Sequence, residues 1–436
     1  MKSVAVIGAG WAGCAAAVEL ADHGYQVSLF EASRTLGGRA RCVEVDGKRL
    51  DNGQHILLGA YRDTLSLIKR LGLREDDVLL RLPLQMRYPP ESGGMDFIAP
   101  RLPAPWHMLI ALWRAKGLSG EDKLALARFT TAARWMDWRL DQDCSVAEFL
   151  IRYDQTPRLV QLMWRPLCIA ALNTPAEQAS ARVFLAVLRD SLGAKRTASD
   201  MLIPRSDLTD LLPQQAAAFI EKRNGQVLLG KAVKSISREA NCWVVATPTE
   251  SHLYDAIVVA TPVWQAATLL EDVIDVTALQ SFTHEPITTC YLQYDTQTSL
   301  PVPFYALAEG PEQRAWGQFV FDRGHLDATQ RGLFAVVVST STDAIALGQH
   351  QLIEDISRQL ARTLKSDELL HPSWSRVITE KRATFSCTPN LHRPAVMTPH
   401  ASLVLAGDYC ESEYPATLET AVRSGLQAAK ALIKSN

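Results

Sequence analysis

The stretch from Val4 to Ala32, VAVIGAGWAGCAAAVELADHGYQVSLFEA, constrains the fold of this chain more than any other. An apolar strand, Val4 to Ile7, runs straight into Gly8-Ala9-Gly10-Trp11-Ala12-Gly13. A helix-forming run continues to about His23, and a second strand, Gln26 to Phe30, ends on Glu31 and Ala32. This is the opening of a doubly wound α/β sheet, and its loop residues have distinct tasks at a bound dinucleotide. Gly8 permits the tight turn from strand to helix. Gly10, with Trp11 and Ala12 behind it, lets backbone approach a pyrophosphate seated on the helix N-terminus. Gly13 allows the helix to pack closely on the sheet. Glu31, 18 residues after Gly13, is placed to accept hydrogen bonds from the adenosine ribose. The glycine pattern alone is a weak signal, but two strands, a helix and an acid in register make it a strong one.

A second glycine pair follows in Leu36-Gly37-Gly38-Arg39-Ala40, for which a nicotinamide dehydrogenase has no general need. The arrangement resembles flavoproteins of the glutathione-reductase and amine-oxidase type, in which Gly38 and Arg39 would run beside the FAD pyrophosphate and ribityl chain. Some 370 residues on, Leu403 to Asp408 (LVLAGD) is an apolar strand delivering Gly407 and Asp408. The resemblance gives Asp408 to the same region of FAD. Pro415-Ala416-Thr417-Leu418-Glu419 then opens a helix with proline near its first turn. Its free N–H groups at Thr417 and Leu418 can face the flavin edge, where negative charge develops on reduction. In this class a strand at Val233 offers its backbone to adenine. The expected cofactor is FAD, held without a covalent bond.

Composition narrows the partners. At 436 residues the chain can hold two domains, one of them discontinuous. With 47% hydrophobic residues and a net charge of −2 it has no character suited to nucleic acid. Eight cysteines show neither a CxxC pair nor metal spacing, so no metal is expected and a reduced, cytoplasmic compartment is the simplest reading. Glycines interrupt the apolar start by residue 8, against a signal peptide. No 18-residue stretch is free of charge, against a transmembrane helix.

Strand and breaker patterns divide the chain into FAD-binding segments at 1–82, 201–265 and 391–436, a helical part of a substrate domain at 83–200, and its antiparallel sheet at 266–390. A hairpin is expected at Arg41 to Asp51 and a helix at 61–73. Pro83, Pro89, Pro90, Pro100, Pro103 and Pro105 suggest an irregular exit from the first segment. Strands are expected at 225–229, 232–236, 242–247 and 255–260, and β-rich runs at 288–294, 318–322, 332–340 and 377–386.

Four stretches carry a closer resemblance: DNGQHILLGAYRDT (51–64), WRPLCIAALNTPAEQASARVF (164–184), EKRATFSCTPNLHRP (380–394) and AGDYCESEYPATLETAVRSG (406–425). The chain resembles the amine-oxidase and phytoene-desaturase superfamily over its whole length, and closely its squalene-associated branch, the hydroxysqualene dehydroxylases of hopanoid synthesis. That resemblance implies a reduced flavin that removes the hydroxyl of hydroxysqualene to yield squalene. The chemistry is reasonable, because loss of an allylic hydroxyl as water leaves a resonance-stabilised cation that hydride can quench. The protein must then exclude water, hold the carbon near the flavin and donate one proton.

His55, after the Asn52-Gly53 pair, is the leading candidate donor. Asp51, Gln54 and Arg165 are weaker ones: Asp51 can simply tie the hairpin, and Arg165 can simply pair with an acid between helices. Cys387 and Cys410 raise the thought of covalent flavin attachment, in a sequence context unlike that of monoamine oxidases. Trp106, Trp113, Trp135, Trp138 and Trp164 are candidates to line a polyisoprenoid tunnel, or to pack in a core. No second nucleotide motif is present, so the reductant is not legible. Two rival readings run the same fold differently: an amine oxidase or carotenoid-type desaturase, and a non-catalytic prenyl-lipid carrier like the GDP-dissociation inhibitors.

Residues 100–116, PRLPAPWHMLIALWRAK, place Trp106, Leu109, Ile110 and Trp113 on one helical face, flanked by Arg101, Arg114 and Lys116. Such a helix suits either a membrane interface or the cap of a buried cavity.

Overall fold

The computed structural model describes residues 2–90, 92–104 and 106–434; Pro105, one of the expected breakers, lies outside them. Ten strands build its two large sheets: β1 (Ser3–Ile7), β2 (Gln26–Glu31), β3 (Gln226–Leu229), β4 (Ala256–Val259), β5 (His284–Gln293), β6 (Phe304–Ala306), β7 (Phe319–Asp322), β8 (Leu333–Ser339), β9 (Trp374–Phe385) and β10 (Leu403–Leu405). The first sheet is parallel, in the order β3-β2-β1-β4-β10. Its central strands are buried on both faces, so they read as continuous apolar runs rather than alternating ones. Helix α1 (Trp11–Asp22) covers one face and is itself buried from Trp11 to Ala21.

The second sheet is antiparallel, in the order β6-β7-β8-β5-β9. Strand alternation sorts its side chains onto two faces. Cys290, Leu292, Val320, Val336 and Val338 pack under the amphipathic helix Gln349–Leu364. Tyr291, Phe304, Phe321, Ala335 and Val337 point the other way, into a core shared with the helical region. The structure is therefore the expected α/β fold, a Rossmann-like unit joined to a discontinuous unit of helices and an antiparallel sheet.

The helical region contains α2 (Trp106–Arg114), α3 (Gly120–Trp135) and shorter helices at 146–152, 165–172 and 181–191. Ser119 with Asp122, and Ser145 with Glu148, form capping boxes that fix where two of these start. Trp164 sits against Phe129 at 4.4 Å between ring centroids and donates its indole N–H to Gln155.

Four local expectations change. Residues 83–105 are not simply irregular, because Gln85–Arg87 and Asp96–Ile98 pair as a hairpin. Val233 lies in the extended link 231–234 rather than a strand; only from Ser235 does the chain meet a partner strand. Strands 251–254 and 304–306 were not foreseen. Nor do five tryptophans line a tunnel: Trp106, Trp113 and Trp135 are 60%, 75% and 90% exposed, whereas Trp138 and Trp164 are core residues. A tunnel wall needs inward side chains, and three of these point to solvent.

Candidate active site

The glycine loop is built as steric rules demand. Gly8 has φ +105°, and a Cβ there would lie 2.6 Å from the Ala260 carbonyl oxygen. At Gly13 a Cβ would sit 1.9 Å from the Gly8 oxygen, so the first turn of α1 touches the loop backbone. Gly10 differs. A Cβ there meets no other atom nearer than 4.0 Å, the Gly38 Cα, so the room in front of it is kept for something other than protein. The second glycine pair is zipped to the first: the Gly37 N–H donates to Ala9 O at 2.9 Å, and Gly37 and Gly38 both take positive φ. Trp11 ties the two loops again through its indole N–H to Ala40 O.

Glu31 closes this end. Its carboxylate accepts from the Ala9 N–H at 2.9 Å and from the Ser33 N–H at 2.8 Å, which aims it across the loop with lone pairs to spare. Ala32 is exposed beside it. The Lys231 N–H bonds Glu31 O, and the Lys234 N–H bonds Ala246 O, so Val233 is held in the neighbouring link.

From the other end of the chain, Gly407 and Asp408 follow β10. The Asp408 carboxylate pairs with Arg39 at 2.6 Å, and Arg39 also donates to Ala383 O on β9. One guanidinium thus joins both glycine-bearing segments and the antiparallel sheet. Arg393, which sequence reasoning missed, holds the loop after β10 by donating to the carbonyls of Asp408, Tyr409, Ser412 and Tyr414. Thr417 accepts from the Thr420 N–H and so precedes Leu418, the first residue of α4 (Leu418–Lys434). Buried Glu419 accepts from the N–H groups of Asp63 and Thr64, capping the N-terminus of helix 62–70.

These residues fit FAD on their own chemistry. Besides the space before Gly10, two of the buried hydroxyls without a hydrogen-bond partner lie at these loops: Thr261 Oγ1, next to the Ala260 carbonyl that faces Gly8, and Tyr409 OH, beside Gly407. Buried polar atoms without partners are uncommon and mark where a ligand atom belongs. Cys387 and Cys410 are buried, and burial raises each thiol to about 12. A thiol held protonated is a poor nucleophile, which argues against covalent attachment.

The loop 51–55 runs between the two units. Asp51 is buried, accepts from the Leu208 N–H at 2.8 Å, and receives the Tyr291 hydroxyl on its carbonyl. Burial raises its carboxyl to about 7, against the pull of Arg323. These bonds tie the loop to the segments of Leu208 and Tyr291. Gln54 accepts from Arg323, a buried guanidinium that the sequence did not single out, at 2.8 Å. His55 hydrogen-bonds Gly53 O through Nδ1 at 2.7 Å, and burial lowers its pKa. The ring is therefore neutral at pH 7, with Nδ1 protonated and Nε2 facing away from the bond. Arg165 is half-exposed and paired with Glu177 at 2.7 Å. The structure thus gathers the glycine loops, Glu31, Arg39 and Asp408 into one group, and leaves Arg165 outside it. Among the described residues no cluster suited to a metal is present.

Comparison with known proteins agrees with this geometry. A family model described as flavin containing amine oxidoreductase matches residues 11–433. The hydroxysqualene dehydroxylase of Zymomonas mobilis is 27% identical over 449 residues, spanning 98% of both chains. That of Rhodopseudomonas palustris is 28% identical, over 98% of this chain and 97% of its own. The zeta-carotene desaturase of Synechocystis is 24% identical, over 99% of this chain and 97% of its own. Among solved structures, putrescine oxidase bound to putrescine superposes with a TM-score of 0.70 at 16% identity, covering 99% of each chain.

Proposed function

The chain belongs to the flavin containing amine oxidoreductase family, and from that premise we propose that it is a hydroxysqualene dehydroxylase serving hopanoid synthesis. It is an FAD-dependent oxidoreductase, and the finer reading is carried by its end-to-end similarity to relatives of that name. The apolar inner face of the antiparallel sheet, rich in Phe304, Phe321 and Val337, also suits a hydrocarbon substrate.

The bound flavin would supply hydride when reduced. The chain's own residues have three tasks. Arg39, Asp408 and the two glycine loops hold the cofactor. Phe304, Phe321 and their neighbours keep water from a carbocation. His55 donates a proton to the departing hydroxyl from Nε2, since Nδ1 is occupied by Gly53. Because burial favours the neutral ring, the protonated form is the minority at neutral pH. Turnover should therefore keep rising as pH falls through 6.5, the ordinary histidine value.

The deciding experiment is anaerobic turnover of chemically reduced enzyme with hydroxysqualene, followed by lipid chromatography. Squalene should form, and the flavin absorbance should return. His55→Ala should slow that step roughly 10²–10⁴-fold. Oxidation of phytoene or an amine by the oxidised enzyme, with no squalene formed, would overturn the reading.

The substrate also points to a location. Dissolving a thirty-carbon isoprenoid in water costs about 0.8 kcal/mol per carbon, or roughly 20 kcal/mol in all. On this reading the enzyme collects substrate from a bilayer, lying peripherally on the inner face of the cytoplasmic membrane. No helix among the described residues is long and apolar enough to cross one, but α2 presents Trp106, Leu109 and Trp113 outward.

A further inference from the structure

A cleft of about 460 Å³ opens where strand 79–82 meets the segment around Arg196 and Arg205. Its lining carries four guanidinium groups, Arg81, Arg101, Arg196 and Arg205, against two carboxylates, Asp76 and Asp200. Asp200 is buried and already shared by Arg81 at 3.0 Å and Arg196 at 2.8 Å. Glu75 outside the lining takes the rest of Arg81. Arg101 and Arg205 have no ion pair among the described residues. Arg205 Nε is buried without an acceptor, and Ser206 Oγ beside it is likewise unpartnered. A buried guanidinium N–H without an acceptor is costly, and its planar fork matches the oxygens of a phosphate. The cleft thus carries more cationic than anionic side chains, with one guanidinium N–H that has no acceptor.

Its surroundings say which acceptor would fit. Arg101 lies five residues before Trp106, and the intervening Leu102 is exposed. The inner side of α2 carries His107, which lies within electrostatic range of Arg196 in the cleft wall. The outer side carries Trp106, Leu109 and Trp113, all at least half-exposed. A free phosphate would not require an apolar face beside its site. A lipid phosphate would, because interfacial tryptophans settle at headgroup depth, level with the phosphates. We infer that the protein docks on an anionic bilayer by seating a phospholipid phosphate in the Arg81–Arg101–Arg196–Arg205 cleft while the outer face of α2 enters the interface. This deepens the lipid-substrate reading above and rests on it for the need to meet a membrane.

The test is flotation of the FAD-loaded protein with phosphatidylcholine vesicles, with and without phosphatidylglycerol. Wild type should partition more strongly onto the anionic vesicles. Arg101→Gln/Arg205→Gln should lose on the order of 30-fold in that partition, at about 1 kcal/mol for each cation near the surface. The double variant should keep its flavin absorbance, its melting temperature and its turnover of detergent-solubilised hydroxysqualene. Equal partition of wild type and double variant would overturn the cleft as the site. If inorganic pyrophosphate raises the melting temperature of wild type alone and vesicles do not bind, the cleft serves a soluble phosphorylated ligand and the bilayer proposal fails. Arginine-dependent flotation without any squalene formation would sink the substrate reading and leave the docking in place.

Discussion

Helices α1 and α2 are both strongly apolar, WAGCAAAVELAD against WHMLIALWR, yet they occupy opposite environments. In α1 most of the apolar residues after Trp11 are small. Backbone approaches it from two sides, the Gly8 loop at Gly13 and α4 at Gly425, where a Cβ would lie 2.1 Å from Ala12 O. In α2 they are large: Met108 and Leu112 pack partly against the core, while Trp106, Leu109 and Trp113 face outward. Small apolar side chains let α1 be packed between neighbours of its own chain. In α2, the exposure of the large ones leaves a surface without a partner in this chain.

The sharpest way to break that contrast is at α1. Gly13→Ala should prevent folding at ordinary temperature, because the added methyl meets backbone that has no room to retreat; such clashes cost about 3 kcal/mol or more. Gly10→Val, three residues earlier, should instead yield folded but colourless protein, since its side chain enters only the cofactor's space. Far-UV circular dichroism and the flavin spectrum separate the two outcomes, and yellow Gly10→Val protein would remove this loop from the site.

A second test concerns charge near the buried end. The folded-state pKa of Asp51 is raised from 3.8 to about 7. Its favourable contribution is therefore fully present below about pH 4 and is lost as pH rises through 7. Asp51→Asn should flatten that stretch of the stability curve by about 1–3 kcal/mol, discounted from the full linkage value. Parallel urea curves for both proteins at pH 5 and pH 8 would refute it.

The smallest effect belongs to α2. Trp106→Ser/Trp113→Ser should leave the melting temperature of the protein in solution almost unchanged, within about 0.5 kcal/mol of stability. A large loss of stability would mean that these rings pack on their own chain, and the contrast with α1 would collapse.

How much of this was legible follows from the same physics. Gly8, Gly10, Gly13 and the Gly37-Gly38 pair announce themselves because the absence of a side chain is a local signal with a fixed spacing. The longer strands of both sheets show because burial on one or both faces leaves an apolar pattern, whereas the three-residue β6 is too short to leave one. Arg393, Arg323 and Glu419 left no such trace, since each bonds groups distant in the sequence or spread through a loop, and no local pattern encodes that. The orientation of α2 was hidden for another reason. Periodicity shows that Trp106, Leu109 and Trp113 share a face, but not what the face meets.

The parallel sheet has a consequence in time. β1 carries the nucleotide loop, but its sheet is completed by β4 and then β10, and the Arg39 partner Asp408 follows β10. At about 5–20 residues per second, β10 leaves the ribosome roughly 20–80 s after the glycine loop. During that interval α1 has an uncovered flank where α4 will pack, and the Gly8–Gly13 loop has no Asp408 to complete its site. Flavin capture is thus a late event in the life of the nascent chain, and a cell short of flavin would accumulate full-length apoprotein rather than stalled fragments.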